Sequence, residues 1–127
     1  MEDKYISYET AQLLNEKGFD IDTWTVYDKD KDVINRGYRL ITGDDIAAPT
    51  QSLTMRGLMV KHNLFIEIRF DGSDGAYPMF DAYIQNLKDN AKPIPVIGYD
   101  RYSYDQVLET AIQFCLKNLI SNGRENI

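Results

Sequence analysis

The stretch from Ser103 to Gly123 constrains the fold more than any other part of the chain. Ser103-Tyr104-Asp105-Gln106 has the form of a capping box, in which the serine and glutamine side chains satisfy each other's backbone donors at a helix start. Tyr102 and Val107 stand where a hydrophobic staple would clasp that start. Beyond it, Leu108, Ala111, Ile112, Cys115, Leu116, Leu119 and Ile120 recur at spacings of three and four, which gathers them on one wide helical stripe. Glu109, Gln113 and Lys117 fall on the polar side. The pattern predicts a helix from Ser103 to about Asn122, closed by Gly123, with Leu108, Ile112, Leu116 and Leu119 buried. An apolar face that broad must be covered by another layer.

Two further helix starts precede it. Ser7 caps Tyr8 to Leu14, with Glu9 near the positive helix end and Gly18 placed to close the helix. Thr50, after Pro49, opens a helix from Gln51 to His62 with Asn63 as its stop, and Met55, Leu58 and Met59 share one face. After Asn63 the hydrophobic period drops to two. Leu64, Ile66, Ile68 and Phe70 alternate with Phe65, Glu67 and Arg69, the pattern of a half-buried strand.

Asp71-Gly72-Ser73-Asp74-Gly75 is a turn cluster, and Ala76 to Ile84 reads as the returning strand. A five-residue loop there sets Ile68 opposite Pro78 and Ile66 opposite Phe80. Phe65, Glu67, Arg69, Tyr77, Met79, Asp81 and Tyr83 then share the other face. Pro78 has no N–H for the ladder and points to an edge or a bulge.

Weaker strands are expected at Thr23–Tyr27 and Tyr38–Thr42, with the charged stretch Asp28–Asp32 as a solvated tip between them. The prolines of Lys92-Pro93-Ile94-Pro95-Val96-Ile97 force an extended linker or short strand. The expected fold is α+β: a small antiparallel sheet of about four strands with three helices, in the order α-β-β-α-β-β-α. With 127 residues, 43% hydrophobic and 27% charged, the chain suits a single domain over residues 1–127, its core at about 5–121 and its ends frayed.

Function is constrained mainly by scarcity. The chain has one histidine, His62, and one cysteine, Cys115, so catalytic partnerships that need either have almost nothing to draw on. His62 ends a helix, where it suits the last carbonyls, and Cys115 lies in the apolar stripe as a core thiol. Asp28-Lys29-Asp30-Lys31-Asp32 imitates the start of a calcium loop, but the sixth and twelfth places hold Val33 and Arg39 instead of glycine and glutamate. Glu67 and Asp81 suggest a glycosidase-like carboxylate pair, but an exposed strand carries such charges for solubility. Gly72 and Gly75 do not make a phosphate loop, because no Lys-Ser/Thr pair and no helix follow. No catalytic residue, metal site or cofactor is expected.

A net charge of −6 disfavours a general nucleic-acid binder, and the longest apolar runs are too short to cross a bilayer. The first residues, Met1-Glu2-Asp3-Lys4-Tyr5, lack the pattern of a signal peptide, and a lone cysteine suits a reducing cytoplasm. The stronger lead is aromatic: nine tyrosines and one tryptophan exceed what the core requires. Arg101 with Tyr99, Tyr102 and Tyr104 makes an Arg/Tyr-rich approach to the last helix, and Arg36 and Tyr38 frame another. Tyr and Arg combine large buried area with a polar handle. The binding candidates are therefore Arg36, Tyr38, Tyr77, Tyr99 and Arg101, with a protein partner favoured and a small ligand as the alternative.

Several stretches together carry a resemblance: Ser7-Tyr8-Glu9-Thr10-Ala11 through Lys17-Gly18-Phe19, Ala48-Pro49-Thr50-Gln51-Ser52-Leu53, His62 to Ile68, and Tyr104 to Ile112. Their order resembles a group of short uncharacterised proteins encoded by phages, prophages and mobile elements of gut Bacteroidetes. It spans most of the chain outside Asp22–Ile46, and it departs from the group at Gly57, where those proteins often carry tryptophan. The resemblance brings no catalytic residues. It implies an accessory gene product acting in the cytoplasm of a bacterial host, through a macromolecular partner, a sequestered nucleotide-like ligand, or acidic mimicry of DNA.

Overall fold

A computed structural model describes residues 4–18, 23–35, 45–89 and 91–120. Helix α1 covers Tyr8–Glu16 and is followed by three short strands, β1 (Thr25–Tyr27), β2 (Val33–Asn35) and β3 (Ile46–Ala47). Helix α2 (Gln51–His62) leads into a long hairpin of β4 (Leu64–Asp74) and β5 (Tyr77–Asn86), then β6 (Ile94–Val96) and α3 (Tyr104–Phe114). All three helix starts use the expected residues. Ser7 accepts from the Thr10 N–H, Thr50 from the Leu53 N–H and Ser103 from the Gln106 N–H. Gly18, at φ 65°, follows α1, and Asn63, at φ 57°, stops α2 in the left-handed region. The Ser103 N–H donates to the Asp100 carbonyl, the one bond in which the start of α3 departs from a full capping box.

The fold is α+β, but its strands form two antiparallel sheets of three, ordered β2-β1-β3 and β4-β5-β6, instead of one sheet of about four. The element order is correspondingly α-β-β-β-α-β-β-β-α. A strand of two residues such as β3 is too short to show a period and only its partner defines it, whereas β6 falls in the extended segment that the prolines of 92–97 predict. Asp28–Asp32 is the hairpin tip anticipated, with the Asp28 carboxylate accepting from the N–H groups of Asp30 and Asp32. Its return strand is Val33–Asn35, paired with β1, while Tyr38–Thr42 lies outside the described residues.

The long hairpin corrects the expected register. Ile66 pairs with Ile84, Ile68 with Ala82 and Phe70 with Phe80. Ser73 and Asp74 belong to the strand, and the turn is Gly75-Ala76, with Gly75 at φ 63°. The slip is four residues, an even number, so every side chain keeps its face. A bulge between Phe70 and Ser73, with Gly72 at φ 81°, absorbs the extra residue.

Helix α3 packs across β4, β5 and β6, and α2 lies against β4. Ile66, Ala82, Ile84, Val96, Leu108, Ile112 and Leu116 form the centre of the core. Leu119 was expected there too, but it is 37% exposed while Ile120 is buried. Cys115–Leu119 is a π-helical turn, and its extra residue per turn rotates Leu119 off the stripe, while Ile120, the last residue of the stripe, stays buried. Met59 is likewise exposed, because α2 turns Gln51, Thr54 and Leu58 inward.

Candidate binding surface

The polar face of α3 is not a solvated face. The Glu109 carboxylate accepts from the Ser7 N–H (3.0 Å), the Ser7 hydroxyl (3.0 Å), the Thr10 hydroxyl and the Gln51 side-chain amide (3.0 Å). Gln113 donates to Thr10 Oγ1 at 2.9 Å. Two backbone bonds, Ile6 N–H to Pro49 and Gln51 N–H to Lys4, lay the segment before α1 antiparallel to the segment before α2. Glu109 therefore sits at two helix starts, where a negative charge is favoured. This network holds three helices together. It is built as a fastening rather than a site, since every oxygen of the carboxylate is spoken for.

The opposite end of the hairpin is where the expected binding residues meet. Beyond β6, the segment 99–101 continues along the edge of β5. The Phe80 N–H donates to the Arg101 carbonyl (2.8 Å), and the Ala82 N–H donates to Tyr99 Oη (2.9 Å). Pro78 is the next residue of that parity and has no N–H to satisfy, which explains proline inside a strand. Arg101 grips Asp81 through Nε and Nη2, at 2.9 and 3.1 Å, and also pairs with Asp71 across the bulge. The Tyr99 hydroxyl donates to Asp81 Oδ1 at 3.4 Å, and burial raises its phenol above the ordinary tyrosine range. Tyr102 is not the expected staple. Its ring is exposed, and its hydroxyl donates to Asp74 at 2.8 Å. The Tyr77 ring meets it edge-on at 6.5 Å and is itself 69% exposed.

Of the five candidates, then, Tyr77, Tyr99 and Arg101 gather at one end of the hairpin, and Arg36 and Tyr38 lie outside the described residues. Tyr99 and Arg101 brace the hairpin, so their polar atoms are partly committed. By local sequence Asp71 and Asp74 are turn residues, yet both belong to this cluster. No local signal reveals that they receive Arg101 and Tyr102, each about thirty positions away in the chain. Glu67 and Asp81 are each taken up by an arginine. Arg69 Nε donates to Glu67 at 2.6 Å and stacks on Tyr83 at 4.0 Å, while Asp81 holds Arg101.

Beside this cluster is an open groove of about 300 Å³, lined by Asp81, Tyr83, Pro95, Ile97, Tyr99 and Arg101 among others. Ile97, at 85% exposed, stands on its rim. Among the described residues, no group of three or more His, Cys, Asp or Glu is placed to hold a metal, and no helix is long and apolar enough to cross a membrane. The Cys115 thiol is fully buried, which pushes its pKa up to about 12 and withholds it as a nucleophile at neutral pH. His62 is held below its ordinary value by burial and by Lys61. No protein-family model, curated protein or solved structure matches the chain.

Proposed function

We propose that this chain is a non-enzymatic accessory protein of a phage or mobile element that binds a basic segment of a host or phage protein. The proposed site is the free end of the β4–β5 hairpin and the adjoining groove. The observation that carries the reading is the side-chain set exposed there. Tyr77, Ile97 and Tyr102 offer apolar area, and Asp71, Asp74 and Asp100 surround them with negative charge. A phosphate-bearing ligand fits this site less well, because the Arg101 guanidinium is already neutralised by two carboxylates that the ligand would have to displace. The phage context comes from the sequence resemblance, and the choice of a basic partner comes from the surface charge.

The test is capture from a bacterial host lysate on immobilised protein, with partners identified by mass spectrometry. A basic protein should be retained, more strongly at low salt than at high salt. Tyr77→Ala together with Ile97→Ser should weaken retention at least about tenfold without lowering the melting temperature, because both side chains are largely exposed. Retention indifferent to these changes would move the site elsewhere. A thermal shift with nucleotides and no retained protein would replace this reading with ligand sequestration.

A further inference from the structure

The two edges of the β4-β5-β6 sheet are treated very differently. Strand β6 is three residues long, contains Pro95 and follows Pro93, so its outer edge is short and poor in donors. Strand β4 is eleven residues long, and its sequence Leu-Phe-Ile-Glu-Ile-Arg-Phe-Asp-Gly-Ser-Asp contains neither proline nor lysine. Among the described residues, β5 is its only ladder partner. Phe70 is 65% exposed, and on the preceding helix Met59 and Val60 are exposed as well. Among the described residues one edge is guarded and the longer one is unpaired, which presents a template for another strand.

We propose that two copies of this chain associate through β4, pairing residues 64–72 antiparallel about a two-fold axis at Ile68. The register follows from charge and face. Paired residues share a sheet face, so only an even offset keeps each apolar face continuous with its copy. With Ile68 opposite itself, Ile66 faces Phe70 of the partner subunit and Glu67 faces the partner's Arg69, twice over by symmetry. Each guanidinium then lies between two carboxylates in a ring of four charges, extending the Glu67–Arg69 pair already present in one protomer. A shift of two residues in either direction places Glu67 against the partner's Glu67 or Arg69 against the partner's Arg69, which is unfavourable. A shift of four runs across the bulge at Gly72 or off the start of the strand. The dimer has one continuous sheet of six strands. The pairing takes in Asp71 but ends before Asp74 and Tyr77 at the hairpin tip, and the inference does not rest on the proposed partner site.

Sedimentation analysis of the full chain over the micromolar range tests it. Wild-type protein should dimerise reversibly. Glu67→Arg alone and Arg69→Glu alone should each weaken association by about tenfold or more, and the double exchange should restore it, since the facing charges are then opposite again. Both positions are at the surface, and circular dichroism checks that the fold persists. As a second arm, a mixture of Glu67→Cys and Arg69→Cys proteins should form a disulfide-linked heterodimer on mild oxidation, because directly opposed residues lie within disulfide reach. Neither variant alone should cross-link at that rate, and native Cys115 is buried. A monomer at all concentrations, a dimer indifferent to single reversals, a double exchange that fails to restore association, or a mixture that cross-links no faster than its components would each overturn the proposal.

Discussion

Glu109 gathers four donors from the starts of two helices, and replacing it with alanine should destabilise the protein by about 2–4 kcal/mol. The magnitude follows from its partners. Four hydrogen bonds converge on the carboxylate, from the Ser7 N–H, the Ser7 and Thr10 hydroxyls and the Gln51 amide. Not all are lost outright. Gln51 retains its bond to the Asp105 carbonyl, and the two hydroxyls, 2.9 Å apart, can turn to each other. About two bonds to a charged acceptor remain without replacement, at about 1.5–3 kcal/mol each. The site is half-buried, so water recovers part of that sum. Glu109→Gln keeps one acceptor oxygen but sets an amide against donors, and should cost about 1–2 kcal/mol. Urea unfolding followed by circular dichroism measures both, and a Thr10→Val, Glu109→Ala double-mutant cycle should show a coupling of about 1–2 kcal/mol. A loss below about 0.5 kcal/mol for Glu109→Ala, or strict additivity with Thr10→Val, would show that the carboxylate does not tie the helices.

The remaining predictions concern the core. Leu116→Ala should cost about 2–5 kcal/mol through transfer and cavity terms, whereas Leu119→Ala, on the rotated π turn, should cost about 1 kcal/mol or less in the same unfolding assay. Equal losses at the two positions would mean that the last helix continues as a regular α-helix. In alkaline solution the unfolded thiol ionises near its ordinary value, while folded Cys115 stays protonated to about pH 12, so stability should fall as pH rises through that window. Tyr27 adds to the same slope, its hydroxyl raised by burial and then by Glu109 and Glu9. Cys115→Ala and Tyr27→Phe should flatten the decline, and an unchanged pH profile for both would contradict their burial.

What could be read from the sequence shares one physical property: it depends on groups within a few residues of one another. A cap uses a side chain and an N–H three positions on, which is why Ser7, Thr50 and Ser103 mark their helices without tertiary context. The faces of the hairpin were legible for the same reason, since alternation is a property of one strand and survives a slip of four residues. The core of α3 was legible as far as its geometry stayed α-helical, and failed at Leu119, where the π turn changes the period. The rest was decided by the fold. Glu109 belongs, by periodicity, on a solvent face, and only the arrival of Ser7 and Thr10 from about a hundred residues away makes it the centre of a network. Asp71 and Asp74 read as turn residues until Arg101 and Tyr102 come against them, and a two-residue strand such as β3 has no identity apart from its neighbour. Local chemistry chose the elements and their inward faces. Which polar side chains find partners depends on distances that only the folded chain sets.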